Sequence, residues 1–146
     1  MPKASSPPNN ALRSPVPSRI AVKIVHGVLK SEHKSTQREI NVAYVDNKKI
    51  RALSKKFLDA DHETDVIAFN YDDTPSGAGP FGDVFISLPM AKYNAERFGE
   101  AYKTEVVRLI IHGTLHLLGY DDHGKAKKIM WAKQEKLVKK LKGLAS

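Results

Sequence analysis

The apolar segment at residues 101–118, AYKTEVVRLIIHGTLHLL, constrains the fold more than any other feature of this chain. Its apolar residues would surround nearly the whole circumference of a helix, which is typical of a helix buried in the centre of a domain. Gly119 follows at once and is a natural C-terminal stop. We therefore predict a central buried helix that ends at the turn GYDDHG.

Two histidines, His112 and His116, stand four residues apart in this segment. On a helix their side chains share one face, with the Cα atoms about 6 Å apart along the axis, so both imidazoles can reach one metal ion. The spacing alone also fits two histidines hydrogen-bonded within a core. Polar rings in so apolar a helix need partners, however, and Gly113 between them permits a close approach to a neighbour.

The turn after the helix presents Asp121, Asp122 and His123, which can return to the same end of the helix as potential ligands. Imidazole and carboxylate ligands suit zinc, and three protein ligands with the fourth position left to water would make the site catalytic. A bound ion would lower the pKa of that water and polarise a phosphoryl oxygen. Alternatively, Asp121 or Asp122 caps the following helix.

The zinc-protease pattern is incomplete, because its general base is a Glu directly after the first His and this chain has Gly113 there. Another proton acceptor is therefore needed. The candidates are an aspartate of the turn, Glu63, Asp65, or no side chain at all if the metal-bound water suffices.

Composition bounds the remaining choices. The chain has 146 residues and no cysteine, which excludes disulfide scaffolds, thiol nucleophiles and Cys-ligated metal sites. Residues 1–18 are rich in Pro and Ser, and we predict a disordered arm there, followed by one domain over residues 19–146. No stretch approaches the roughly 18 residues of a membrane span, and no secretory signal is visible, so we expect a soluble cytoplasmic protein without a membrane partner.

Charge is divided unevenly along the chain, whose formal net charge is +8. Residues 39–123 carry nine Lys and Arg against fourteen Asp and Glu, whereas the two flanks are strongly basic, with eight Lys against one Glu in residues 124–146. An acidic site with basic surfaces beside it would attract a polyanion, and nucleic acid is the leading candidate. The alternative for the C-terminal lysines is a solvated helix face.

The remaining patterns indicate an α+β fold, with a small mixed sheet of four strands packed by helices around the metal-carrying helix. Alternating apolar residues predict strands at 20–24, 40–44, 65–71 and 83–88, with a Pro/Gly-rich loop over residues 72–82. Asp46 can cap a helix that runs to about Leu58 and turns Ile50, Leu53 and Phe57 inward. Pro89 opens a short helix ending near Gly99. A lysine-coated helix over residues 124–142 would bury Met130, Leu137 and Leu141, with Trp131 as a further candidate.

The segment HGTLHLLGYDDH closely resembles the signature of the YbeY family of bacterial metal-dependent endoribonucleases. The segments TDVIAFNY, GDVFIS and EVVRLIIHG resemble others of that family, so the resemblance runs from about Asn41 to Glu135. It implies an endoribonuclease with one zinc ion, specific for single-stranded RNA. It also implies a role at the small ribosomal subunit, in maturation of the 3′ end of its rRNA, and in ribosome quality control.

The chain departs from the family pattern at two positions. The family's third His lies six residues after the second, where this chain has Asp122, and His123 comes one residue later. Either can coordinate zinc; we favour His112, His116 and His123 as the metal ligands, and His112, His116 and Asp122 as the catalytic residues.

The second departure is Leu58, which occupies the place of the family's usual arginine six residues before the TDV threonine. Lys55, Lys56 or Arg108 would then have to supply a cation for phosphate. Two other functions therefore stay open. One is a ribosome-associated assembly factor with a structural zinc, and the other is a metal hydrolase with a substrate other than RNA.

Overall fold

The computed structural model describes residues 13–37, 39–58, 64–71 and 80–146. These residues form five α-helices, three β-strands and a short 3-10 turn. The helices are α1 (Ser18–Ser31), α2 (Asn47–Leu58), α3 (Leu88–Phe98), α4 (Tyr102–Leu117) and α5 (Gly124–Leu141), the strands are β1 (Glu39–Val45), β2 (Val66–Asn70) and β3 (Pro80–Ser87), and the 3-10 turn is Lys142–Ala145.

The sheet has the strand order β1-β3-β2, in which β3 is parallel to β1 and antiparallel to β2. The predicted α+β class and the mixed sheet are confirmed, but the sheet of the described residues has three strands instead of the predicted four. Strand β3 starts at Pro80, inside the stretch predicted as a loop. Residues 72–79 of that loop lie outside the described residues.

The predicted first strand is wrong, because residues 20–24 belong to helix α1. Ile20, Ile24 and Val28 are buried with their neighbours Ala21 and Val25, a period of about 3.6 residues, while Val22 is 46% exposed. Ile20 and Ile24 are four residues apart and so also fit the period of a helix. A window of three alternating apolar residues is therefore too short to separate a strand from a helix.

The predicted arm at residues 1–18 is described only from Arg13 onwards. Val16 is fully buried in the core, and its carbonyl accepts a hydrogen bond of 2.8 Å from the hydroxyl of Tyr44. Helix α1 begins at Ser18. Val16 therefore packs with the rest of the chain, and the disordered arm stays a prediction for residues 1–12.

The remaining helices were predicted near their observed bounds. Asp46 does cap α2, since its carboxylate accepts the backbone N–H of Lys49 at 2.8 Å. Two predicted core residues are exposed instead: Phe57 by 56% and Trp131 by 58%. Within the described residues, no helix combines the length and hydrophobicity needed to cross a membrane.

Helix α4 lies at the centre of the structure, with α1, α3 and α5 around it and strands β2 and β3 on one side. Its side chains at Val106, Val107, Ile110, Ile111 and Leu115 are fully buried, as the segment's hydrophobicity predicted. It ends where the chain reverses at Gly119, whose φ of 98° is strained for any residue with a side chain. The reversal directs residues 120–123 back towards the C-terminal end of α4.

We predict that Gly113→Ala destabilises the protein. A Cβ atom on Gly113 would lie 2.5 Å from Cγ1 of Val84 and 3.3 Å from Cγ2 of Val66. Val84 is fully buried and β-branched, so its methyl groups cannot swing away. We expect a loss of about 1–3 kcal/mol in the free energy of unfolding, measured by urea denaturation.

The matched control is Gly143→Ala, since a Cβ atom at Gly143 meets nothing within 4 Å. Its free energy of unfolding should stay within about 0.5 kcal/mol of the unchanged protein. Equal stabilities for the two variants would contradict the close approach of α4 to the sheet.

Candidate metal centre

His112 and His116 lie one turn apart on α4 and direct their rings to the same place. The Nε2 atom of His116 lies 3.0 Å from the Nε2 atom of His112. The rings meet edge to face, with their centroids 4.5 Å apart. The prediction that the two imidazoles share one helix face is confirmed.

The protonation of both rings follows from the partners of their Nδ1 atoms. Nδ1 of His112 lies 2.6 Å from Oε1 of Gln134, and the amide nitrogen of Gln134 donates to Glu135. The glutamine oxygen therefore faces His112, whose Nδ1–H must donate to it. Nδ1 of His116 lies 3.2 Å from the carbonyl oxygen of Tyr120, which can only accept.

Each neutral imidazole carries one N–H, so both Nε2 atoms are left as acceptors that face each other. Burial, and then the neighbouring ring of His112, lower the pKa of His116 below its ordinary value. The neutral ring is the form that binds metal ions. When both rings are neutral, the two Nε2 atoms face each other as acceptors 3.0 Å apart, and one metal ion can bind both of them.

Asp122 supplies a third acceptor at the same place. Its Oδ2 atom lies 3.4 Å from Nε2 of His116 and 3.8 Å from Nε2 of His112. The two histidines and Asp122 form one half-buried group whose ligand atoms all lie within 4.8 Å of one another. With both rings neutral, all three atoms are acceptors, and a cation at their centre would satisfy all three.

The spacing of these atoms suits a tetrahedral metal ion. Bonds of about 2.0–2.1 Å in tetrahedral geometry separate neighbouring ligand atoms by about 3.3–3.4 Å. The three pairs here are 3.0, 3.4 and 3.8 Å apart. The group can therefore hold one divalent ion, and a fourth position would remain for solvent.

The structure does not bring His123 to this group. Its side chain is 87% exposed, and its Nδ1 atom lies 2.7 Å from Oδ1 of Asp121. That hydrogen bond to Asp121 raises the pKa of His123 and so favours the charged ring, which cannot bind a metal ion. Oδ1 of Asp122 lies 3.5 Å from the same nitrogen, so Asp122 stands between His123 and the histidine pair.

The alternative role of the turn aspartates as helix caps is seen only in part. Asp121 accepts the backbone N–H of His123, the residue that precedes α5, at 3.0 Å. No side chain caps the first turn of α5 itself. Asp121 therefore stabilises the turn, and Asp122 is left to face the histidines.

Sequence reasoning missed the residues that orient the site. Gln134 is only 3% exposed and lies on α5, 22 residues after His112, a separation with no recognisable spacing signal. The turn is held by the hydroxyl of Tyr120, which donates to Glu32 directly after α1, and Nζ of Lys133 lies 3.0 Å from the same carboxylate. These contacts fix the carbonyl that receives the N–H of His116.

Arg108 is not a free cation that could replace the arginine missing at Leu58. Its guanidinium donates to Glu105 at 2.8 Å and to Glu135 at 2.9 Å, and it also pairs with Glu100. Three carboxylates surround one cation whose side chain is 14% exposed. Lys55 and Lys56 remain exposed on α2.

Of the predicted proton acceptors, Asp65 lines the same cleft as His112, and Glu63 lies outside the described residues.

Comparison with known proteins identifies the family. The profile of the family described as Endoribonuclease YbeY matches residues 10–142. The chain belongs to the YbeY family. An Endoribonuclease YbeY from Caldanaerobacter subterraneus is 34% identical over 135 residues, which are 84% of this chain and 85% of that protein. One from Elusimicrobium minutum is 42% identical over 90 residues, which are 60% of this chain and 63% of that protein.

A solved structure agrees with the fold. The solution structure of TM1509 from Thermotoga maritima matches with a TM-score of 0.62 and 27% identity, over 86% of this chain and 83% of that one. Asp122 stands six residues after His116, and it is the residue that the turn brings to the histidine pair.

We predict that Asp122→Ala weakens zinc binding at least about a hundred-fold, because it removes one of three converging acceptors. His123→Ala should bind zinc within about two-fold of the unchanged protein, since its ring points to Asp121. Competition with a chromophoric chelator measures both affinities. Loss of binding in His123→Ala with binding retained in Asp122→Ala would contradict the observed turn.

Proposed function

We propose that the chain is a zinc-dependent endoribonuclease that cleaves single-stranded RNA and holds one zinc ion on His112, His116 and Asp122. The observation that carries this proposal is the convergence of two imidazole nitrogens and one carboxylate oxygen within 3.8 Å of one another. Relatives that cover most of the chain are named endoribonucleases. His112, His116 and Asp122 are thus both the metal ligands and the catalytic residues.

Zinc bound there would lower the pKa of a coordinated water and polarise a phosphoryl oxygen. The chain's own residues prepare this centre. Gln134 and the carbonyl of Tyr120 hold the two rings in the tautomer that directs Nε2 to the site. Gly113 leaves no carboxylate next to His112, so Asp65, in the adjoining cleft, is the acceptor that we assign to the proton of the attacking group.

A basic surface at the other end of α4 supports a polyanionic substrate. Four lysines and the C-terminal residues surround a hollow of about 450 Å³ there. We call these four lysines the lysine surface: Lys103, Lys139, Lys140 and Lys142. None of them forms an ion pair with any residue that the structure describes. Unpaired lysines on one surface are suited to the phosphates of RNA.

The finer role that we propose is maturation of the 3′ end of small-subunit rRNA and participation in ribosome quality control. This assignment rests on the resemblance to the YbeY family. It implies binding to the small ribosomal subunit in the cytoplasm, where rRNA is processed.

The second candidate is a ribosome-associated assembly factor in which zinc is structural. Leu58 in place of the family's arginine favours it, and so does the enclosure of Arg108 by three carboxylates. Such a protein would bind the same metal and the same RNA without cleaving it.

We predict that His116→Ala loses bound zinc and RNA cleavage together, because one of two nitrogen ligands is removed. Metal content is measured on the purified protein, and cleavage on a labelled single-stranded RNA. His26→Ala on α1 is the matched control and should keep both properties.

Zinc titration of the metal-free protein separates the two candidates. An enzyme gains cleavage as zinc saturates the site, whereas a structural ion raises the melting temperature without any cleavage. An unfolded variant is recognised by circular dichroism. His116→Ala cutting RNA at the unchanged rate while folded and zinc-free would refute the proposal.

We predict that RNA binding weakens steeply with salt, since each phosphate contact releases counterions. Replacing Lys139 and Lys140 together by Ala should lower the slope of log affinity against log salt by about 1.4, which is about 0.7 for each contact with single-stranded RNA. Lys92→Ala on α3 lies outside the lysine surface and should leave the slope within about 0.5 of the original. Slopes that do not differ between these variants would exclude the lysine surface from binding.

A further inference from the structure

A cleft of about 510 Å³ adjoins the metal centre on the Nδ1 side of His112. Its walls come from α3, α4 and α5, and two exposed aromatic side chains line it: Phe98, 61% exposed, and Trp131, 58% exposed. Trp131 was a candidate for burial under helix α5, but in the structure its side chain lines this cleft. The metal ligand His112 is thus shared between the centre and the cleft.

Trp131 is the chain's single tryptophan. Among the described residues, no ring stacks on it and no cation lies over it. Phe98 differs, since the guanidinium of Arg97 lies 4.8 Å from its ring centroid. An indole without a partner, in a cleft beside a nuclease centre, offers a stacking surface for a flat ring.

The polar lining of the cleft consists mainly of acceptors. Four carboxyl groups line it, from Asp65, Glu100, Glu105 and Glu135, against the one guanidinium of Arg108. Burial raises the pKa of Glu105 and so favours its neutral form, but the other three carboxylates still outnumber the single guanidinium. Phosphate would be repelled by this charge, whereas a neutral ring that carries N–H donors would be bound.

We propose that this cleft binds one nucleobase of the RNA next to the cleaved linkage, stacked on Trp131, and that it selects guanine. The proposal rests on the proposed nuclease function. In this arrangement the RNA backbone binds to the lysine surface and the metal centre, and one base of the RNA binds in the acidic cleft.

Guanine is favoured because it carries more N–H donors on its edge than the other bases, and the cleft offers mainly acceptors. Each oxygen of Glu100 and Glu135 already accepts one hydrogen bond from Arg108, so the donors of guanine would use the remaining lone pairs of these carboxylates, whose side chains are 33% and 28% exposed. Adenine and cytosine offer one amino group each. Uracil offers one N–H between two carbonyl groups, which the carboxylates repel.

The first test measures binding without cleavage. The fluorescence of Trp131 is followed in full-length His116→Ala while the RNA pentamers UUGUU or UUUUU are added. We expect UUGUU to quench the emission and to bind at least about five-fold more tightly than UUUUU. Equal affinity without quenching would overturn the proposal.

The second test measures cleavage by protein with an intact metal centre, on RNAs that differ in one base. We expect cleavage beside G, and Trp131→Ala should lose at least about five-fold in kcat/KM there, while Trp131→Phe keeps most of it. Ile129→Ala, 63% exposed on the same helix and outside the cleft lining, is the control. Glu100→Gln should weaken the preference for G, because an amide replaces one acceptor by a donor.

Failure of the base site and failure of the nuclease function give different results. No RNA cleavage by the zinc-loaded protein would remove the proposed function, whereas cleavage without base preference, unchanged in Trp131→Ala, would remove only the base site. Quenching of Trp131 by a lysine- and arginine-rich peptide and by neither RNA would mark the cleft as a protein-docking site and also overturn the proposal.

Discussion

The account depends on one interaction that the protein alone leaves incomplete. Two histidine nitrogens and a carboxylate oxygen approach one another within 3.8 Å, and in the neutral rings the hydrogen bonds made by Nδ1 leave no N–H for the space between them. Such an arrangement is repulsive until a positive charge occupies it. Residues outside the group, Gln134 and Tyr120, therefore orient the two rings so that the group could hold a metal ion.

The fold keeps this arrangement by making its support rigid. Most of helix α4 is buried, and Gly113 lets the helix approach Val84 of the sheet closely. The reversal at Gly119, together with the contact from Tyr120 to Glu32, sets where Asp122 lies. Packing far from the metal centre thus determines its ligand geometry.

The features that could be predicted from the sequence are those that depend on strong local patterns. The buried helix, its histidine pair and its stop at Gly119 were all visible, because hydrophobicity and spacing act within a few turns. Helix α1 was mistaken for a strand, since three alternating residues fit both periods. Gln134 was missed because its contact with His112 is set by how α5 packs on α4. The choice between Asp122 and His123 depends on turn geometry, which spacing alone left open.

Proton positions on the two rings test the central claim most directly. Long-range proton–nitrogen NMR of the imidazoles distinguishes protonated from bare or metal-bound ring nitrogens. The account predicts that His112 and His116 are both protonated at Nδ1, and that zinc shifts the two Nε2 resonances at one equivalent. Protonated Nε2 atoms, or zinc addition that leaves both Nε2 resonances in place, would contradict it.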